Sequence, residues 1–166
     1  MIVLIGPMGS GKTTVGALVA HRLGTSVRDT DHDVEATTGR EISEIFVDDG
    51  EAAFRALERA AVAEALATHE GVLALGGGAV LDPGTRELLA GHDVVFLRVG
   101  LSDAVKRVGL GAGRPLLTIN PRATLKHLME QRRPLYAAVA THTIATDARD
   151  PQEIAAELAA LLKDVG

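Results

Sequence analysis

The chain has no cysteine and no tryptophan, one tyrosine and three phenylalanines among 166 residues. Without cysteine there is no disulfide framework, thiol nucleophile or cysteine-ligated metal centre, which suits a reducing compartment. Aromatic residues make up only 2% of the chain and the apolar set as a whole 46%, so the core must be built from Ala, Val, Leu and Ile. No apolar run approaches the roughly 18–20 residues that a membrane helix needs. The short N-terminal apolar stretch has no basic region before it, unlike a secretory leader. With a net charge of −5, the chain lacks the basic stripe of a general nucleic-acid binder. An anionic small ligand stays open, because a local arginine cluster can coexist with an acidic surface. The histidines fall into no H-x-x-x-H or similar spacing, so no histidine metal site is expected. What these absences leave is a soluble cytoplasmic protein of one domain, long enough to bury a core, with no membrane or nucleic-acid partner.

What is present starts at the first residues. Met1 to Ile5 is an apolar run opening into Gly6-Pro7-Met8-Gly9-Ser10-Gly11-Lys12-Thr13, a complete G-x-x-x-x-G-K-[ST] phosphate loop. Glycines let the backbone take positive φ and approach a ligand closely, so that successive N–H groups converge on phosphate oxygens at a helix N-terminus. Lys12 would reach the β- and γ-phosphates as a point charge, and the Thr13 hydroxyl would ligate Mg²⁺.

Beyond the loop, Val15, Leu18, Val19 and Leu23 recur at helical spacing, and Gly24 is placed to end that helix. Short strands are expected at Ser26–Asp29, Val72–Leu75, Val94–Val99 and Thr143–Thr146. Helices are expected over most of 32–69, with turns near Gly39 and Gly50, and from Pro83 to Leu89, Ser102 to Val108 and Pro121 to about Tyr136. Asp150-Pro151-Gln152-Glu153 reads as a capping box that opens a C-terminal helix. Short buried strands alternating with helices imply a parallel sheet covered on both faces. In such a sheet, ligands bind beyond the carboxyl ends of the strands. The phosphate loop, Asp29 and Asp31, Gly76–Gly78 and Gly100 all fall there. The helical insert of about 32–69 and the glycine-rich loop of about 109–118 break the alternation, and are candidates for a substrate platform and a lid.

Several residues at that edge could carry chemistry, each with a plainer alternative. Asp29 and Asp31 could divide the work of holding Mg²⁺ and orienting an acceptor hydroxyl, or one could cap the next helix. Arg55 and Glu58 share a helix face, either as an exposed ion pair or as an arginine held by glutamate to grip a substrate carboxylate. Leu125, Leu128, Met129 and Arg132 fall at i, i+3, i+4 and i+7, which puts Arg132 inside an apolar stripe and Arg133 on its flank. An inward arginine must be paired, either in a structural salt bridge or at an anion site. Arg114 in the lid could be solvated or could meet a transferring phosphoryl group. Gly76–Gly78 could be only a tight turn, and Arg107 and Arg149 could lie beside a nucleotide base or be merely exposed.

The run Asp29-Thr30-Asp31…Glu35…Gly39…Phe54-Arg55…Glu58, with Gly76-Gly77-Gly78-Ala79, Arg114-Pro115-Leu116-Leu117 and Arg132-Arg133-Pro134-Leu135-Tyr136, resembles the shikimate kinases over nearly the whole chain. That resemblance implies ATP-dependent phosphorylation of the 3-hydroxyl of shikimate, on the path to chorismate and the aromatic amino acids. It implies an α/β fold like the nucleoside-monophosphate kinases, with a five-stranded parallel sheet of order 2-3-1-4-5. It also implies a single kinase domain over 1–166: a core of 1–31, 70–108 and 119–166, the insert and the lid. Gly9, Ser10, Gly11, Lys12, Thr13 and Thr14 match the family's nucleotide loop. Thr13 and Asp29 match its Mg²⁺ contacts, the latter through water. Asp31 matches the aspartate that holds the acceptor hydroxyls and can act as base. Arg55, Gly77 with Gly78, and Arg132 match the shikimate contacts, and Arg114 the lid arginine that reaches the phosphates. Arg107, Arg149 and Pro151 match the adenine side. Lys12, Asp31 and Arg114 are the expected catalytic set. ATP, ADP and shikimate are the expected partners of a monomer. A gluconate or nucleoside-monophosphate kinase fits less well, since two arginines suit a carboxylate. A nucleotide-dependent switch has no use for a second anion site.

Overall fold

The computed structural model describes residues 1–109 and 120–163. Strand β1 (Ile2–Ile5) is buried at every position and lies at the centre of a five-stranded sheet. β3 (Val72–Ala74) and β4 (Asp93–Arg98) flank it, and β2 (Val27–Asp29) and β5 (His142–Ala145) form the edges. All four pairings are parallel and the order is β2-β3-β1-β4-β5, as expected. The three inner strands are apolar apart from Asp93 and Arg98 at the ends of β4, while the short edge strands carry Arg28, Asp29 and His142.

Side chains alternate across the sheet. Ile2 and Leu4 face one layer, packing with Val15 and Val19 of α1 (Lys12–Leu23) and Ile154 and Leu158 of α8 (Pro151–Lys163). Val3 and Ile5 face the other, with Val62 of α4 (Glu51–Thr68), Leu89 of α5 (Pro83–Leu89) and Tyr136 of α7 (Pro121–Val139). α6 (Leu101–Val108) follows β4. The insert resolves into three helices, α2 (Thr30–Thr38), α3 (Ile42–Asp48) and α4, around a small core of Val34, Ile45 and Phe54. Its two breaks are glycines in the left-handed region, Gly39 at φ 69° and Gly50 at φ 89°.

Most boundaries fall within a residue or two of expectation. Gly24 ends α1 at φ 65° with its N–H on the carbonyls of Ala20 and His21. α7 runs on to Val139 although Pro134 lies inside it, because Leu125, Met129, Arg132 and Tyr136 bury one continuous stripe. Asp150 caps α8 through Gln152, whose N–H donates to Asp150 Oδ1 at 2.8 Å. The expected lid, with Arg114, lies outside the described residues beyond Gly109.

Candidate active site

The carboxyl ends of β1, β2 and β3 open onto two adjoining cavities. One, of about 550 Å³, is lined by the phosphate loop from Met8 to Val15 together with Asp29, Arg107, Arg149 and Pro151. The other, of about 370 Å³, is lined by Arg55, Glu58, Gly78 and Arg132, with Phe46 and Phe54 as its apolar wall. Met8, Asp31, Gly76 and Gly77 line both.

The first cavity gathers glycine backbone and three cationic side chains, Lys12, Arg107 and Arg149. Gly9 (φ 78°) and Gly11 (φ 92°) take left-handed backbone at the start of α1, and a Cβ on Gly9 would meet the Ala104 carbonyl of α6 at 2.9 Å. Lys12 Nζ donates to the carbonyls of Gly6 at 2.6 Å and Pro7 at 3.0 Å, so its charge is held within the loop. Thr13 and Thr14 are exposed into this cavity. Arg107 ties the loop to the far wall, donating through Nη1 to Gly9 O and Thr146 Oγ1 and through Nη2 to Thr146 O. Arg149 is held by Ala145 O and Glu157.

Asp29 is the N-cap of α2: its Oδ1 accepts from the N–H groups of Asp31 and His32. It serves as a cap and still lines the nucleotide cavity. Thr13 and Asp29 form an all-oxygen set of two side chains, which fits Mg²⁺ carried mainly by phosphates and water. Among the described residues no group of three or more His, Cys, Asp or Glu could hold a metal by itself.

The second cavity holds opposed charges that are largely buried. Arg55 Nη1 donates to Glu58 Oε1 at 2.8 Å, and the arginine stacks against Phe46 and Phe54. Glu58 is only 1% exposed, so the pair is not the surface ion pair that its spacing alone allowed. Arg132 is 4% exposed and lines the cavity, while Arg133 faces solvent, as the helical wheel required. Arg55 Nε, Glu58 Oε2 and Arg132 Nε are buried without a hydrogen-bond partner among the described residues. Buried polar atoms are rarely left so, and three of them around one cavity mark a polar ligand site.

Gly76–Gly78 permits the crowding. A Cβ on Gly76 would sit 2.6 Å from Asp31 Oδ1 and 2.9 Å from Glu58 Oε2, and one on Gly78 would collide with the Arg55 guanidinium. Burial pushes Asp31 up to about 6, with Asp29 adding to the rise and Lys12 and Arg55 opposing it. Glu58 is pushed to about 7 by burial, against the pull of Arg55. Burial lowers Arg132; Tyr136 opposes the shift and the like charge of Arg55 adds to it.

The shikimate kinase family profile matches residues 8–163. The chain belongs to the shikimate kinase family. It is 69% identical to the shikimate kinase of Salinispora arenicola over 160 residues, 96% of either chain. It is 62% identical to that of Streptomyces coelicolor, over 93% of this chain and 90% of that one. The structure superposes with a TM-score of 0.94 on shikimate kinase from Acinetobacter baumannii in complex with shikimate, at 38% identity, covering 98% of this chain and 92% of that one. The enzyme is thus a small-molecule kinase, and its reaction is the ATP-dependent phosphorylation of shikimate at the 3-hydroxyl.

The structure goes beyond the sequence at two residues by the second cavity: spacing pairs Glu58 with Arg55 but leaves its depth open, and Tyr136 has no role assigned from sequence. Phe54, Glu58, Val62 and Ala65 share one buried face of α4, so the wheel argument that found Arg132 also places Glu58 inside. Tyr136 continues the Arg132 stripe one turn on, and its hydroxyl donates to the Gly77 carbonyl.

Proposed function

We propose that phosphoryl transfer crosses the shared wall at Asp31 and Gly77, with the nucleotide in the phosphate-loop cavity and shikimate in the cavity of Arg55 and Arg132. The observation that carries this reading is that Asp31 lines both cavities. Shikimate offers one carboxylate and three hydroxyls. Its carboxylate takes the two arginines, whose planar forks suit it, and its 3-hydroxyl takes Asp31. Backbone groups at Gly77 and Gly78 complete the acceptor contacts.

In the transfer, the 3-hydroxyl oxygen forms a bond to the γ-phosphorus as the bond to the β,γ-bridging oxygen breaks, and ADP departs. The hydroxyl proton passes to the Asp31 carboxylate. Lys12 stays on the β- and γ-oxygens as charge moves to the leaving group, and the N–H groups of Gly9 to Thr14 hold the phosphates in line. Thr13 and Asp29 would hold Mg²⁺, which supplies charge neutralisation on the β- and γ-phosphates. Arg107, Arg149 and Pro151 flank the base. Arg114, which lies outside the described residues, would add its charge at the phosphates. The α2–α4 insert closes over the acceptor and keeps water from competing with it.

The enzyme acts as a cytoplasmic monomer. Val27 and Val47 are the only large apolar side chains exposed among the described residues, and no helix there is long and apolar enough to cross a membrane. ADP release with and without shikimate tests the assignment: release should depend on shikimate and on Mg²⁺. Shikimate-independent turnover at the same rate would refute it.

A further inference from the structure

The loops after β4 and β5 exchange carboxylates. Gly100, the N-cap of α6, has no side chain with which to cap its helix. Asp147, across the sheet edge, supplies the acceptor: its Oδ1 takes the Gly100 N–H at 2.6 Å. The site is close-fitting, since a Cβ on Gly100 would come within 3.2 Å of that oxygen. In return Asp103, in the first turn of α6, accepts the N–H of Ala148 at 2.8 Å through Oδ2. Ala148 is held at φ 52°, left-handed backbone that an alanine adopts only at a cost.

This clasp sits between the two parts of the nucleotide cavity. The 146–150 turn presents Arg149 and leads to Pro151, and α6 backs the phosphate loop at Gly9. Arg107 of the same helix bridges Gly9 to Thr146 at the root of that turn. Whatever fixes the turn against α6 therefore fixes the base-side wall against the phosphate loop.

We propose that Asp103 and Asp147 are positioning residues for the nucleotide, holding the 146–150 turn, with Ala148 left-handed, in place against the phosphate loop. The inference rests on the assignment of this cavity to ATP and ADP. It concerns two carboxylates that line neither cavity.

Calorimetric titration with ADP of the full-length protein and of D103A, D103N, D147A, A148G and D103A/A148G tests it, with shikimate titrated in parallel. D103A and D147A should weaken ADP binding by about five- to tenfold and leave shikimate binding unchanged. D103N keeps an oxygen acceptor and should bind ADP as the parent does. Glycine takes the left-handed region freely, so A148G should restore much of the affinity lost in D103A. Unchanged ADP affinity in a folded D103A and D147A would overturn the proposal. So would equal losses for ADP and shikimate, or no rescue by A148G. A parent protein that failed to bind ADP would instead remove the nucleotide assignment on which the proposal stands.

Discussion

Tyr136 donates a hydrogen bond to the backbone oxygen of Gly77, one helical turn beyond Arg132. The contact ties α7 to the glycine turn after β3, so the buried arginine and the peptide between the two cavities are held by one phenol. Burial pushes that hydroxyl up to about 12, and it stays a protonated donor across the working pH range. Tyr136→Phe leaves the Gly77 carbonyl without its partner and should cost about 1–3 kcal/mol of stability. It should raise the shikimate KM more than the ATP KM. Thermal unfolding and steady-state kinetics with each substrate varied check both, and an equal rise in the two KM values would contradict the tether.

Arg132 and Arg133 are neighbours in sequence but opposite in environment. Arg132→Ala should cost about 2–5 kcal/mol in acceptor binding, roughly 30-fold to several-thousand-fold in the shikimate KM. Arg133→Ala should leave the KM within about twofold, as a surface change does. The reverse order in a kinetic comparison would rule out Arg132 as the carboxylate ligand.

Lys12 donates to the carbonyls of Gly6 and Pro7, which keeps its ammonium within the phosphate loop. Lys12→Met should lower kcat by at least about 10²–10³-fold while the far-ultraviolet circular dichroism keeps its native form. Near-parental turnover in a folded variant would exclude the lysine from the transfer.

The two buried carboxylates make stability and activity move oppositely with pH. Asp31 rises from 3.8 to about 6 and Glu58 from 4.5 to about 7 on folding. Between about pH 4 and 7 the folded state therefore binds more protons than the unfolded chain, and this contribution to stability is lost as pH rises. The ligand-free melting temperature should fall across that window, with a shallower slope for Asp31→Asn. Activity needs ionised Asp31, so kcat/KM for shikimate should drop as pH falls through about 6. A parental melting profile in Asp31→Asn would contradict the stability half of this prediction.

The sheet could be read from the chain because its inner strands are short apolar runs ending in recognisable loops, and because Gly24, Gly39 and Gly50 lie where the backbone turns left-handed. Arg132 could be read because a charge within an apolar stripe is visible at helical spacing. The depth of Glu58 was left even with surface exposure, since a spacing of three says that it pairs with Arg55 but not what packs above the pair. Asp29 had two readings, cap and metal contact; it caps, while its place beside Thr13 leaves room for both. The Asp103–Asp147 exchange was invisible for a different reason. Its partners are 45 and 47 residues apart, and only the adjacency of β4 and β5 brings them together.

The scarcity of aromatic residues has an optical consequence. With no tryptophan and one tyrosine, emission excited beyond the absorption band of the three phenylalanines comes from a single phenol. That phenol packs at a tilt against Phe96 and donates to the Gly77 carbonyl, between the two cavities. The native enzyme thus carries an unlabelled chromophore one hydrogen bond behind the Gly77 peptide that lines both cavities, with no other tyrosine or tryptophan signal to subtract. Its emission and near-ultraviolet dichroism should follow acceptor binding directly.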